Sequence, residues 1–296
     1  SEDIYIGSGE QLIVWDKYGK FKRVLSKKGN DPQSYLHFNH FMIWPNGDLS
    51  IASPIEIVTY SNSHQFINKK RCENVGYIEA ITLLNDSLYI IKCMPTPEQL
   101  RYRIINHHTG AIINSYDSII NCNRYISSFT NSFERYEGHI ISHGYQSNDI
   151  LECTLDSSKI RYKINVDNRI PPAGFYTQEG KEGMQLIQEE AEKGYIGHIP
   201  DYVESKETIL LSFKGKREDL NGIALIDKKD GNARVLENIK FDDNFRWLPK
   251  QFFSLDEGWC AMLMYPEDVL KKEEFARRFP GLDEESNPVL FIGKLR

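Results

Sequence analysis

The feature that most constrains this chain is a pattern that occurs twice in its first 66 residues, about 45 positions apart. Asp3-Ile-Tyr-Ile-Gly-Ser8 returns as Asp48-Leu-Ser-Ile-Ala-Ser53, and the run from Ile13 to Phe21 returns from Ile57 to Phe66. Each copy consists of short alternating runs separated by turn formers, the period-two signature of strands. A repeat of about 45 residues holding roughly four strands is the spacing of propeller blades.

The repeat can be followed along the chain by the polar residue that opens the turn between two outer strands: Asp16, Ser61, Asn106, Asp156 and Asp227. Asn, Asp and Gly between alternating apolar residues are hairpin chemistry. An inner hairpin belongs to each unit. The clearest turns at Pro45-Asn-Gly-Asp48, and comparable ones turn at Asn85-Asp86, Glu137-Gly138, Ser205-Lys206 and Asp256-Glu257-Gly258. The sequence therefore predicts an all-β chain, one six-bladed β-propeller domain of four-stranded antiparallel blades over residues 1–296. The first and last blades each show three strands, and strands upstream of Ser1 are expected to complete them. Two helical insertions are predicted. Residues 178–193 carry Met184, Leu186, Ile187 and Ala191 on one face, and residues 266–279 open on Pro266 with acids early and Arg277 and Arg278 late.

Composition narrows the function classes. A net charge of -6 argues against a nucleic-acid surface, which needs a concentrated basic face. No apolar run approaches the roughly 18 residues of a spanning helix. The five cysteines, Cys72, Cys93, Cys122, Cys153 and Cys260, form no C-x-x-C pair and read as buried free thiols.

The run Leu12-Ile-Val-Trp-Asp-Lys-Tyr-Gly-Lys-Phe21, followed by Asp31-Pro-Gln-Ser-Tyr35, resembles the first-blade signature of the six-bladed β-propeller lipoproteins of Bacteroides and relatives, TolB-like or NHL-like propellers. The terminal Pro288-Val-Leu-Phe-Ile-Gly-Lys-Leu295 is similar to that family's closing strand. The resemblance implies a periplasmic or outer-membrane-surface location behind a lipid anchor outside this chain, and no established activity. The loop Asn30-Asp31-Pro-Gln-Ser34 departs from the family pattern, which has a second Gly and a Glu there.

For chemistry, the candidate channel-mouth residues are His40, Arg124, His139, His143, Arg246 and Trp247. His139 and His143 can share one face of a strand. Arg124, Tyr125, Arg135 and Tyr136 with Arg246 and Trp247 offer an aromatic and cationic mouth suited to a sugar or carboxylate; the competing reading packs these aromatics between blades. No nucleophile elbow, H-E-x-x-H, phosphate loop or dinucleotide fingerprint occurs. The reading is a non-enzymatic binding module without a cofactor, acting as a monomer on a small molecule, a glycan or an envelope protein. The alternative is a channel-mouth lactonase, lyase or hydrolase with Ca²⁺ or Zn²⁺.

Overall fold

The computed structural model describes residues 3–8, 10–25, 27–72, 75–94, 100–118, 133–143, 148–166, 169–172, 174–178, 180–242, 245–249, 252–255, 257–271, 273–286 and 288–295. The architecture is six antiparallel-sheet blades in a propeller arrangement, with three α-helices among the described residues. The first blade is β1 (Ile4–Ser8), β2 (Gln11–Trp15) and β3 (Phe21–Leu25). The second is β4 (His40–Ile43), β5 (Leu49–Ser53), β6 (Glu56–Tyr60) and β7 (Phe66–Arg71). The third is β8 (Ile78–Leu83), β9 (Leu88–Cys93), β10 (Leu100–Asn106) and β11 (Ile112–Ser118). The fourth is β12 (Glu134–Tyr136), β13 (His139–His143), β14 (Asp149–Cys153) and β15 (Ser158–Lys163). The fifth is β16 (Tyr202–Glu204), β17 (Thr208–Phe213), β18 (Gly222–Asp227) and β19 (Ala233–Val235). The last is β22 (Phe252–Ser254), β23 (Trp259–Met264) and β24 (Val289–Lys294). Before it stands a two-stranded ribbon, β20 (Ile239–Asp242) and β21 (Phe245–Trp247), which has no counterpart among the expected hairpins. Strands of four and three residues are too short to print a period on the sequence.

The repeat is built by one local device. Asp16 Oδ1 accepts the amides of Tyr18 and Lys20, both at 2.9 Å. Ser61 Oγ accepts from Gln65 at 3.0 Å, Asn106 Oδ1 from His108 at 2.9 Å, and Asp227 Oδ1 from Lys229 at 2.8 Å. In each case a side-chain oxygen holds the turn amides that the ladder leaves unpaired. The fourth blade departs from the expectation. Its turn closes from Thr154 N to Ser157 O at 2.9 Å, tighter than the others, and the acceptor is Thr154 Oγ1, not Asp156.

Central strands are buried on both faces, as in β5 and β6, where every residue is buried, while β3 and β19 at the blade rims are exposed along most of their length. Close packing also fixes where side chains are excluded. A Cβ on Gly222 would sit 2.5 Å from Cζ of Phe213, a ring only 8% exposed. Gly222→Ala is therefore expected to destabilise by about 1–3 kcal/mol, the range for overpacking, read as a lowered denaturant midpoint.

Of the insertions, α1 (Gly183–Lys193) lies inside the first expected span. It ends on Gly194 at φ 66, with the Tyr195 amide bonded to Glu190 O. Leu186 is fully buried, but Met184 is 69% exposed, so the apolar face is narrower than its spacing suggests. The second span holds two short helices, α2 (Pro266–Leu270) and α3 (Glu273–Arg278). Pro266 at the first turn and the buried Val269 anchor α2 to the core, and the Lys271 amide bonds back to Val269 O in a tight closing turn that ends it early.

The chain forms two compact units. One comprises residues 1–133, 151–161 and 173–186; the other comprises 134–150, 162–172 and 187–296. In the first, Met42, Trp44, Ile57, Ile78, Ile81 and Tyr89 form one core cluster and Leu12, Tyr35, Leu49, Val58 and Tyr60 another. In the second, one cluster gathers Tyr136, Ile141, Tyr202, Ile209 and Leu211, and another gathers Val203, Leu210, Trp247, Phe252 and Met262. Cys72, Cys93, Cys153 and Cys260 are free thiols, and burial pushes Cys93 up to about 12. Cys122 lies outside the described residues.

Candidate ligand pocket

In the second unit, three hairpin turns meet around a cavity of about 350 Å³. Tyr136 and Glu137 come from the β12–β13 turn, Ser205, Lys206 and Glu207 from the β16–β17 turn, and Glu257 from the β22–β23 turn; Lys294 and Leu295 close it from the end of β24. The turns are tied by backbone bonds. The Glu257 amide donates to Arg135 O at 3.1 Å, and the Leu295 amide to Gly258 O at 2.8 Å. Two of these turns carry a glutamate in the left-handed region, Glu137 at φ 50 and Glu257 at φ 51, each followed by a glycine, Gly138 at φ 76 and Gly258 at φ 79. Asn or Gly takes the first of these positions with less strain than Glu does.

Beneath the pocket wall lies a buried polar network. Glu204, its side chain fully enclosed, accepts Tyr202 Oη at 2.6 Å on Oε2, and Tyr162 Oη at 3.0 Å and Lys228 Nζ at 2.7 Å on Oε1. Lys228 also donates to Ser205 O at 3.0 Å and stands 4.9 Å from the centre of the Tyr136 ring, a cation–π distance. Tyr136 Oη donates to Glu137 Oε1 at 3.1 Å. Burial pushes the Tyr136 phenol up to about 12, reinforced by that hydrogen bond and by the charges of Glu137, Glu204 and Glu257. The phenol thus stays protonated and serves as a donor across the physiological range. A pocket whose wall groups stand on a satisfied buried network is held rigid, which favours selective binding.

The residues singled out from the sequence fall in several places. His139, exposed, begins β13 opposite Tyr136 and so stands beside the pocket turn. His143 ends the same strand, buried, with Nδ1 against Ile199 O at 3.0 Å. Four strand residues span roughly 13 Å, so the two rings do not converge on one ligand atom. Trp247 is 6% exposed and packs in the core, its ring 5.9 Å from that of Phe291, while Arg246 pairs with Lys240 across the ribbon. Arg124 and Tyr125 lie outside the described residues. His40 belongs to the first unit. There burial drives its pKa to about 4, and its Nδ1 is shut off from solvent with no hydrogen-bond partner among the described residues. Around it, burial lowers Lys92 to about 8 and raises Glu79, whose charge in turn favours the protonated lysine. Among the described residues no group of three or more His, Cys, Asp or Glu side chains is placed to hold a metal ion.

Residues 1–294 match the model of DUF4934, a domain of unknown function. The chain belongs to the DUF4934 family. No curated protein matches the sequence significantly. Among solved structures this DUF4934 chain is similar to a Bacteroides fragilis protein provisionally described as exported. The two share 12% identity at a TM-score of 0.80, over 100% of this chain and 88% of the other. It is also similar to the WD40 domain of Neurospora crassa Pan2, at 10% identity and a TM-score of 0.50, over 90% of this chain and 70% of that one. At such identities the likeness is one of fold. Of the pocket's lining only Tyr136 is singled out from the sequence, in a mouth with other partners; the rest are scattered over some 160 positions and read singly as turn residues or as part of the closing strand. The available signal was the pair Glu137-Gly138 and Glu257-Gly258, where Asn-Gly or Asp-Gly would serve a turn better.

Proposed function

We propose that this chain is a binding module of the bacterial envelope that holds a small polar ligand in the pocket framed by Tyr136, Lys206, Glu257 and Lys294, without a chemical step of its own. The observation that carries the reading is the pocket's construction: charged turn side chains project from backbone segments locked together by hydrogen bonds, beside the enclosed Glu204 carboxylate and its partner Lys228. The exported description of the Bacteroides fragilis protein supports a site of action outside the cytoplasm. Attachment through a lipidated residue outside this chain, as in the lipoproteins the sequence resembles, is part of the same proposal.

The test is a thermal-shift screen of neutral, cationic and anionic small polar compounds, repeated on Glu257→Lys, which sets a long cation at the pocket wall. A ligand at 100 times its Kd stabilises by about 2.7 kcal/mol, which raises the Tm of a chain this size by about 5 °C. A saturable shift lost in Glu257→Lys supports the reading. A shift that survives the substitution unchanged moves the site elsewhere and overturns it.

A further inference from the structure

We propose that the pocket recognises its ligand through a free ammonium group carried on a small hydroxylated scaffold, of which a 2-amino sugar is the simplest kind. The inference rests on the pocket being the binding site. Its first support is the charge placement. The lining carries three carboxylates, Glu137, Glu207 and Glu257, against two ammonium groups, Lys206 and Lys294. Lys294 Nζ lies 5.7 Å from the Trp259 ring centre and so already has an aromatic face to rest on. Glu204 beneath is matched by Lys228 at 2.7 Å and adds no uncompensated charge. The cavity therefore presents a surplus of acceptors, and a cation is the species that relieves it.

The second support is where that surplus is concentrated. The Glu257 amide bond to Arg135 O brings the β22–β23 turn onto the strand that ends at Tyr136, so Glu137 and Glu257 stand on two turns joined at the backbone. Beside Glu137 is the Tyr136 phenol, whose proton is already given to that carboxylate. Its oxygen lone pairs, like the carboxylates, accept hydrogen bonds. An ammonium has three donors and no acceptor, the complement of such a corner. The third support is the remainder of the wall. Lys206 and Lys294 bring donor groups, which suit hydroxyl oxygens on the rest of the ligand, and about 350 Å³ accommodates a hexose-sized molecule with bridging water.

Glucosamine, N-acetylglucosamine and glucuronate share a pyranose ring and differ in charge, so isothermal titration of the three at pH 7 and low salt isolates the amine. Glucosamine is expected to bind, and each of the other two to bind at least about tenfold more weakly, the loss of one charge-assisted hydrogen bond. Glu137→Gln and Glu257→Gln, both conservative changes of exposed side chains, are each expected to lower glucosamine affinity about tenfold and to leave the melting curve in place. Tighter binding of N-acetylglucosamine or glucuronate, with loss in Lys206→Gln, overturns the amine assignment while the pocket stands. Binding of none of the three also overturns it, and the compound screen then judges the pocket by itself.

Discussion

Glu204→Ala is expected to lower stability by about 3–5 kcal/mol. Removing one member of a buried ion pair leaves the other charge uncompensated in a medium that solvates it poorly. Here the orphaned group is Lys228, 20% exposed, and the change also deprives the buried Tyr202 hydroxyl and the Tyr162 hydroxyl of their acceptor. Glu204→Gln keeps the shape and an acceptor oxygen but loses the charge, and is expected to cost about 1–3 kcal/mol. Because Lys228 in turn fixes Ser205 and Tyr136 at the pocket, ligand-induced stabilisation should fall in Glu204→Gln even where the fold survives. Equilibrium denaturation of both variants checks the order. A Glu204→Ala protein within 1 kcal/mol of the parent, a threshold near the median for an exposed ion pair, would show that water reaches the pair.

Acidification is expected to act with opposite signs on two titratable groups, one in each unit, Asp201 buried and His40 half-buried. Asp201, 8% exposed, receives the Ser212 hydroxyl at 2.5 Å. Burial nevertheless raises its pKa from 3.8 to about 6, against the pull of that hydrogen bond and of the Lys214 charge. Between those values the folded state holds a proton that the unfolded chain releases, so stability at this site falls as pH rises from 4 to 6. At roughly 1.4 kcal/mol per decade the effect is about 3 kcal/mol. His40 behaves the other way. Its pKa is lowered from 6.5 to about 4, first by burial and then by the Lys92 charge, so the unfolded chain takes up the proton first. Stability at His40 is full above pH 6.5 and falls as the pH drops toward 4, again by about 3 kcal/mol. The two contributions largely cancel in the parent protein. Denaturant midpoints at pH 4 to 7 should therefore show Asp201→Asn becoming acid-labile and His40→Gln becoming acid-tolerant. Profiles parallel to that of the parent in both variants would sink the assignment.

Much of the fold could be read in advance because turns announce themselves locally. Pro45-Asn-Gly-Asp48 turns as its residues require, with Gly47 at φ 86 and the Trp44 amide bonded to Asp48 O at 2.7 Å. Nothing in the run of residues states which turns will face one another. Glu137, Lys206 and Glu257 are brought together by blade packing, which acts over separations no local pattern records. Histidine drew attention in the sequence because its chemistry is versatile, yet His143 is spent on a backbone carbonyl in the core. Residues with less distinctive chemistry, glutamates in strained turns, frame the cavity instead.

The five outer turns have a consequence for how such a chain diverges. An aspartate, a serine, an asparagine, a threonine and a second aspartate do the same work at Asp16, Ser61, Asn106, Thr154 and Asp227, each offering one oxygen to the amides of its turn. What these places share is a side-chain acceptor at the opening of the turn, and four residue types supply it. A fold encoded in that alphabet can exchange nearly all its letters and keep its blades. Such synonymy is one physical route by which two chains sharing 12% of their residues superpose at a TM-score of 0.80.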